Sequence, residues 1–274
     1  MAARRKSGAW AAIVEQSVKI VDSYDTGVTL RQLFYRLVST GVLRNTQSEY
    51  SQLSSKTAEA RRAGTFPALI DRGRSIHRFR TWNSPREALT ATAQSYRRDR
   101  TEGQPVTLYL GVEKAGIVEQ LLAWFGDLGF PIVATAGYTS QTFIDVIEED
   151  AQRQGRPTVM LYAGDFDPSG EDILRDLNSR SSFDTVERIA LDGEQVDQFN
   201  LPPMPGKTSD TRATAFIERH GKLVQVEIDA LPPDVLRTLY TDAIDKYHDV
   251  AAYNRVLERE SQEREEALAI VRRS

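Results

Sequence analysis

The chain has 274 residues, of which 40% are hydrophobic and 27% are charged, as expected for a globular protein with a substantial core. It contains no cysteine, which excludes disulfides, zinc–thiolate sites and thiol catalysis. No stretch has the pattern of a signal peptide or of a membrane span, so we expect a cytoplasmic protein without a membrane partner.

The net charge of −4 conceals two parts of opposite sign. Residues 1–104 contain 18 Lys and Arg against 9 Asp and Glu, whereas the rest of the chain contains 17 against 30. A basic segment joined to an acidic one is typical of a nucleic-acid-binding module with a partner domain. Because charge also segregates on surfaces without function, the asymmetry carries weight only together with motifs.

Three short helices are predicted in the basic part, over residues 9–24, 30–41 and 46–63. Thr29 is placed to cap the second of them. Three short helices followed by an extended segment favour a winged-helix variant of the helix-turn-helix. Residues 48–62 would be its recognition helix and residues 70–82 its wing. We assign residues 1–100 to this domain.

Ten arginines and no lysine lie between residues 61 and 100, with Phe79, Trp82 and Tyr96 among them. Arginines next to aromatic rings suit phosphate contacts and base stacking, although a solvated basic face is the simpler alternative. The residues predicted to contact DNA are Lys56, Arg61, Arg62, Arg72, Arg74, Arg78, Arg80 and, in the acidic part, Lys114. A solvated loop lysine is an equally good interpretation of Lys114.

Beyond a predicted linker at residues 100–105, predicted strands alternate with predicted helices. The strands are 106–112, 131–135, 158–163 and 185–191, and the helices between them are 115–126, 139–154 and 168–177. This alternation predicts an α/β domain over residues 105–195 with a doubly wound parallel sheet. Residues 196–274 are predicted to form a mostly helical extension that serves packing or dimerisation.

Carboxylates follow two of the predicted strands, at the edge where α/β sheets bind ligands. Asp165 and Asp167 follow the third strand, and Glu113 follows the first. If these strands are neighbours, three carboxylates meet at one point and need a cation to neutralise them. We therefore predict a Mg²⁺ or Mn²⁺ site made of these three residues. The alternative is that Asp167 only caps the next helix, ahead of Pro168, and that Asp165 is solvated.

The acidic part resembles a Toprim domain, the metal-binding fold of topoisomerases, primases and some nucleases. The residues that carry the resemblance are G-V-E-K-A at 111–115 and D-F-D-P-S-G at 165–170. It is most similar to the A subunit of topoisomerase VI and its meiotic double-strand-break relatives, where G-Y follows the second strand, as Gly137-Tyr138 does here. The resemblance covers roughly residues 9–190, and compact "mini-A"-like proteins of phages and mobile elements are the closer comparison.

The same family carries a winged-helix domain with a catalytic tyrosine, in a pattern of Arg, two variable positions and two tyrosines. Here the pattern is Arg31-Gln32-Leu33-Phe34-Tyr35, with Phe34 in place of the first tyrosine. The resemblance implies that Tyr35 is the nucleophile, that Arg31 assists it and that Glu113 takes part in catalysis. A phenol with a pKa near 10 needs such a cation, and Arg31 lies one helical turn away. The alternative is that Tyr35 completes the edge of a core.

The resemblance implies a type IIB topoisomerase A-subunit-like homodimer that cleaves DNA and forms a 5′-phosphotyrosyl link. The tyrosine of one subunit would then meet the metal site of the other. Leu201 stands where a phosphate loop ending in Gly206-Lys207-Thr208 needs glycine, so we do not expect this chain to hydrolyse ATP. For a full strand-passage cycle the resemblance implies a GHKL-type ATPase subunit in trans. Two alternatives stay open: a metal-dependent nuclease that uses activated water, and a non-catalytic DNA-binding protein. Because each of these interpretations involves DNA, we expect the protein to be associated with the nucleoid.

Overall fold

A computed structural model describes residues 7–24, 27–70, 79–205 and 210–273, which form eleven α-helices and six β-strands. The helices are α1 (Ser7–Asp22), α2 (Leu30–Ser39), α3 (Gln47–Arg62), α4 (Pro85–Gln94), α5 (Val118–Phe125), α6 (Gln141–Gln154), α7 (Pro168–Arg180), α8 (Gly193–Gln198), α9 (Ala213–His220), α10 (Pro233–Ile244) and α11 (Val250–Arg273). The strands are β1 (Thr107–Val112), β2 (Ile132–Ala134), β3 (Thr158–Ala163), β4 (Thr185–Ala190), β5 (Met204–Pro205) and β6 (Val224–Gln225). Short 3₁₀ helices cover Ala115–Ile117, Gly126–Leu128 and Ile228–Ala230.

The first three helices agree with the sequence prediction to within a few residues. Thr29 caps α2 as predicted: its hydroxyl accepts a hydrogen bond from the Gln32 backbone N–H, and the Gln32 side chain accepts one from the Thr29 N–H. Most of the predicted wing, residues 71–78 with Arg72, Arg74 and Arg78, lies outside the described residues. Ile70, at its start, pairs with Thr29 in a single parallel bridge. The winged-helix assignment therefore stays a prediction.

Four parallel strands form the central sheet in the order β2-β1-β3-β4, which confirms the predicted α/β class. The strand bounds match the predicted ones to within two residues at either end. Every residue of β1 and β3 is buried, as expected for the inner strands of a parallel sheet covered on both faces. The smaller pair, β5 and β6, is antiparallel.

Helices cover both faces of the central sheet. Because side chains alternate along each strand, neighbouring strand residues pack against opposite helix layers. Tyr109 and Met160 belong to a cluster that includes Ile144 of α6 and Leu177 of α7. Their neighbours along the strands, such as Leu110, belong to a larger cluster. That cluster includes Leu121 of α5, Tyr240 of α10 and the interior side chains of α1 to α3. The three N-terminal helices thus share one continuous core with this face of the sheet.

The segment predicted as a linker is an ordered turn. Thr101 and Gln104 are buried, the Arg156 guanidinium donates to the Thr101 carbonyl, and the Gln104 side chain bonds the backbone of Asp249. Ahead of this turn, α4, which the sequence did not predict, packs along α11. The domain limits at residues 100, 105 and 195 stay predictions. None of the helices in the described ranges is both long and apolar enough to cross a membrane.

Candidate active site

Two predicted site residues meet where β1 and β3 end. The two strands are hydrogen-bonded neighbours, as the prediction required. Glu113 follows β1, and its Oε2 accepts a hydrogen bond from the backbone N–H of Asp165, 2.8 Å away, just beyond β3. Both carboxylates are buried, with 7% and 5% exposure. Burial and then the charge of Glu113 raise the pKa of Asp165 above its ordinary value, although Lys114 opposes them.

Lys114 supplies the positive charge of this acidic pair. Its Nζ donates to Oδ2 of Asp165 and lies 3.8 Å from Oε1 of Glu113. Burial by itself would lower the pKa of Lys114, but Asp165, Glu113 and Glu227 together raise it. Lys114 therefore stays charged at neutral pH. Lys114 is therefore not the solvated loop residue of the alternative interpretation, and its DNA contact stays a prediction.

Asp167, the third predicted metal ligand, is used to cap a helix. Its Oδ1 accepts a hydrogen bond from the backbone N–H of Gly170 at 2.7 Å, and Pro168 begins α7 directly after it. Among the described residues no group of three His, Asp or Glu side chains is placed to hold a metal ion. The structure thus brings together two of the three predicted ligands.

Glu113 and Asp165 nevertheless fit a divalent cation. Both present buried oxygen donors of the kind that Mg²⁺ and Mn²⁺ prefer, and they already share one positive charge. A cation held by Glu113 and Asp165 would supply charge stabilisation for a reacting phosphate.

The predicted nucleophile, Tyr35, lies on α2 beside this centre. It is only 4% exposed, and its ring packs at 5.6 Å, centroid to centroid, against Phe34. Burial raises the pKa of the Tyr35 phenol, and the charge of Glu227 raises it further. Arg31 opposes this rise, whereas Asp229 and Asp165 add to it. In the free protein Tyr35 is therefore a protonated phenol near carboxylates of its own chain.

Arg31, the residue predicted to assist Tyr35, forms an ion pair with Glu227. Burial by itself would lower the pKa of Arg31, but the hydrogen bond and charge of Glu227 outweigh it and raise that pKa. Arg31 also lies over the ring of Tyr50, 5.9 Å from its centroid. The guanidinium therefore has a carboxylate partner already in the absence of DNA.

Sequence reasoning missed the segment that joins these two groups, residues 224–229. Val226 pairs with Phe166 through two backbone hydrogen bonds of 2.9 and 3.0 Å, and the backbone N–H of Ile228 donates to Oδ1 of Asp165 at 2.9 Å. The segment therefore supports the Asp165 turn and carries Glu227 to Arg31. Its E-I-D spacing repeats the D-F-D spacing at 165–167, and this repeat was the signal available in the sequence.

Tyr138, in the middle motif of the resemblance, belongs to a different contact. It is half-exposed, its hydroxyl donates to the Asp172 carboxylate, and the Arg212 guanidinium donates to that hydroxyl. Gly137 before it has a φ of +96°, a conformation that favours glycine. The Gly137-Tyr138 turn is thereby attached to α7 and not to the acidic pair.

The residues predicted to contact DNA are only partly assembled. Arg61 and Arg62 are exposed at the end of α3, and Lys56 pairs with Glu59 on the same helix. Arg80 stacks on the Trp82 ring, 5.4 Å from its centroid. Arg72, Arg74 and Arg78 fall outside the described ranges.

The C-terminal end of the arginine-rich run serves a structural purpose. Arg98 pairs with Glu263 and Arg100 pairs with Glu260, both on α11. The Tyr96 hydroxyl donates to Glu263 as well. These residues are therefore paired with carboxylates of α11, and the interpretation of the arginine run as a DNA surface stays a prediction.

No protein-family model matches the chain, and no curated protein is significantly similar to it.

Proposed function

We propose that this protein cleaves DNA by transesterification, in the manner of a topoisomerase VI A subunit, with Tyr35 as the nucleophile. One observation carries the proposal. Glu227 pairs with Arg31 of α2, and the backbone N–H of the next residue, Ile228, donates to Asp165, so the helix that carries Tyr35 is linked to the acidic pair at the carboxyl edge of the sheet. The proposal includes a winged-helix assignment for the N-terminal helices and a Toprim assignment for the sheet domain.

The reaction exchanges one phosphodiester bond for another. The Tyr35 phenol loses its proton, its oxygen bonds to the phosphorus, and the bond from phosphorus to the 3′ oxygen breaks. The 3′ oxygen leaves and takes up a proton, and the 5′ end stays covalently attached to the tyrosine. Arg31 would stabilise charge on the phosphate, and Glu113 and Asp165 would hold Mg²⁺ or Mn²⁺ beside it.

The assembly that goes with this activity is a homodimer, since two strands require two tyrosines. The resemblance pairs the tyrosine of one subunit with the acidic pair of the other, whereas in this chain Tyr35 and Asp165 lie near each other. Strand passage would require a GHKL-type ATPase in trans. Double-stranded DNA is the proposed substrate, and association with the nucleoid follows from it.

A second candidate is a metal-dependent nuclease in which water attacks the phosphate. The burial of Tyr35 favours it, because a 4% exposed, protonated phenol that packs against Phe34 and lies near carboxylates resembles a core-edge residue. For the first candidate, DNA binding has to uncover Tyr35. The two candidates therefore differ in whether the phenol oxygen ends up bonded to DNA.

The experiment incubates supercoiled plasmid with the protein and Mg²⁺ or Mn²⁺, stops the reaction with detergent and measures protein attached to DNA 5′ ends. Tyr35→Phe is compared with Tyr253→Phe, which removes a hydroxyl that donates to the Asp127 carbonyl. We expect covalent ends in the wild type and in Tyr253→Phe and none in Tyr35→Phe. Free ends that persist in Tyr35→Phe would establish the nuclease instead. DNA binding with no cleavage by any variant would favour a non-catalytic DNA-binding protein.

A further inference from the structure

A cleft of about 380 Å³ lies at the start of α2, between that helix and the end of α3. Arg31 and Arg61 both line it, together with the Tyr50 ring, and no carboxylate is among its described lining residues. A surface cleft whose described lining has two guanidinium groups and no acidic side chain suits an anion such as a backbone phosphate.

The two arginines differ in how they are held. Arg61 is exposed at the end of α3 and makes no ion pair with another described residue. Arg31 is paired with Glu227, which approaches from the 224–229 segment and does not line the cleft. The Arg31 side chain is 40% exposed and that of Glu227 is 18% exposed. Arg31 therefore borders the cleft with one part of its side chain and the active centre with another.

We propose that Glu227 is a positioning residue that holds Arg31 until a DNA backbone phosphate enters this cleft. The phosphate then replaces Glu227 as the partner of Arg31; this inference rests on the proposed function. A guanidinium binds carboxylate and phosphate oxygens with the same planar geometry, so the exchange conserves its hydrogen bonds. Because a partly exposed ion pair is only weakly stabilising, losing the pair between Arg31 and Glu227 does not prevent the exchange. DNA binding and the rearrangement next to Tyr35 are thereby coupled through one side chain.

The test measures DNA binding without cleavage. Fluorescence anisotropy with a labelled duplex, in EDTA and at several salt concentrations, compares wild type, Glu227→Gln, Arg31→Met and the double variant. Glu15→Gln is the charge-matched control, because Glu15 pairs with Lys19 on α1, away from the cleft. Circular dichroism verifies that each variant is folded.

We expect Glu227→Gln to bind the duplex about fivefold more tightly than the wild type, since Arg31 no longer has a competing partner. Arg31→Met should weaken binding and reduce the slope of log K against log salt by about 0.9, the loss of one phosphate contact. In the Arg31→Met background Glu227→Gln should change nothing. Glu15→Gln should stay within about twofold of the wild type.

Arg61→Met provides a second test that leaves the ion pair intact. It should also reduce the salt slope by about 0.9, and Glu227→Gln should still tighten binding in this background. An unchanged slope would show that no phosphate occupies the cleft. A gain in Glu227→Gln that equals that of Glu15→Gln, or that persists without Arg31, would overturn the exchange. Wild-type protein that does not bind DNA would overturn the proposed function too, whereas normal binding with an inert Glu227→Gln overturns only this inference.

Discussion

Asp165 and Glu260 are both buried carboxylates, with 5% and 2% exposure, yet their pKa values are shifted in opposite directions. The pKa of Asp165 is raised, first by burial and then by Glu113. The pKa of Glu260 is lowered to about 2, first by its hydrogen bond with Arg100. Burial alone therefore does not decide the charge state, and the number of neighbouring cations does.

The environment of Glu260 supplies a donor for each of the lone pairs on its two oxygens. It accepts hydrogen bonds from the Arg100 and Arg264 guanidinium groups and from the backbone N–H of Arg98. Asp165 instead shares Lys114 with a second carboxylate. The first arrangement fastens α11 to the chain ahead of β1. The second has two carboxylates for one lysine, and this excess of negative charge is what the proposed cation would balance.

The largest expected effect is that of Asp165→Asn on DNA cleavage. If Asp165 holds the cation, loss of its charge should reduce cleavage by about 1,000-fold. Because the asparagine oxygen still accepts from the Ile228 N–H, the free energy of unfolding should change by less than about 1 kcal/mol. Plasmid cleavage and urea unfolding measure the two quantities. Asp176→Asn, which only loses a pair with Arg180 on α7, should leave cleavage unchanged; equal losses in both would contradict the assignment.

Glu260→Gln should show the reverse pattern. The amide leaves Arg100, whose side chain is 12% exposed, without its buried counter-charge and with only an ion pair to the 81% exposed Asp127 among the described residues, so the free energy of unfolding should fall by about 3 kcal/mol. Cleavage per folded molecule should be unaffected at a temperature where the variant is folded. Urea unfolding measures the loss, with Glu258→Gln, an exposed residue of the same helix, as the control. A stability equal to that of the control would show that the ion pairs of α11 contribute little.

The sequence could predict those features of the site that short stretches of residues determine. The apolar runs ending in Glu113 and Asp165 specify buried strands, and the two strands are neighbours in the structure as expected. The role of Asp167 could not be decided from the sequence, because the same residue type serves as a helix cap and as a metal ligand. The structure shows the cap.

Contacts between distant segments could not be predicted. Glu227 reaches Arg31 across 196 positions, and Arg98 reaches Glu263 across 165. No local pattern specifies which carboxylate an arginine meets, so a run of arginines was interpreted as one DNA surface although its C-terminal end is neutralised by α11. In the same way burial of Tyr35 follows from how α2 packs against residues 228–230, and not from its own helix alone.

A smaller effect is expected at Gly170, which lies against the Asp165 turn. A Cβ added there would come within 2.3 Å of the Asp165 carbonyl oxygen, so Gly170→Ala has to displace either α7 or the turn. We expect the free energy of unfolding to fall by about 2 kcal/mol. Gly126→Ala, where the nearest atom is 3.9 Å away, should be neutral or stabilising by up to about 1 kcal/mol. Chemical unfolding of both variants measures the difference, and equal stability of the two would show that the turn yields freely.

The last prediction uses pH to separate the two carboxylates. The Glu260 pKa is about 2 in the folded chain against an ordinary 4.5, so the folded state favours the charged form. Its contribution to stability is therefore complete above pH 4.5 and is lost as the pH falls from about 4.5 towards 2. The difference in unfolding free energy between wild type and Glu260→Gln should shrink across that window and stay constant between pH 6 and pH 8. Urea unfolding of the two proteins at a series of pH values measures it. A difference that persists unchanged at pH 3 would mean that Glu260→Gln destabilises the protein through altered packing and not through the loss of a charge. The difference between Glu260 and Asp165 would then be one of packing and not of neighbouring charges.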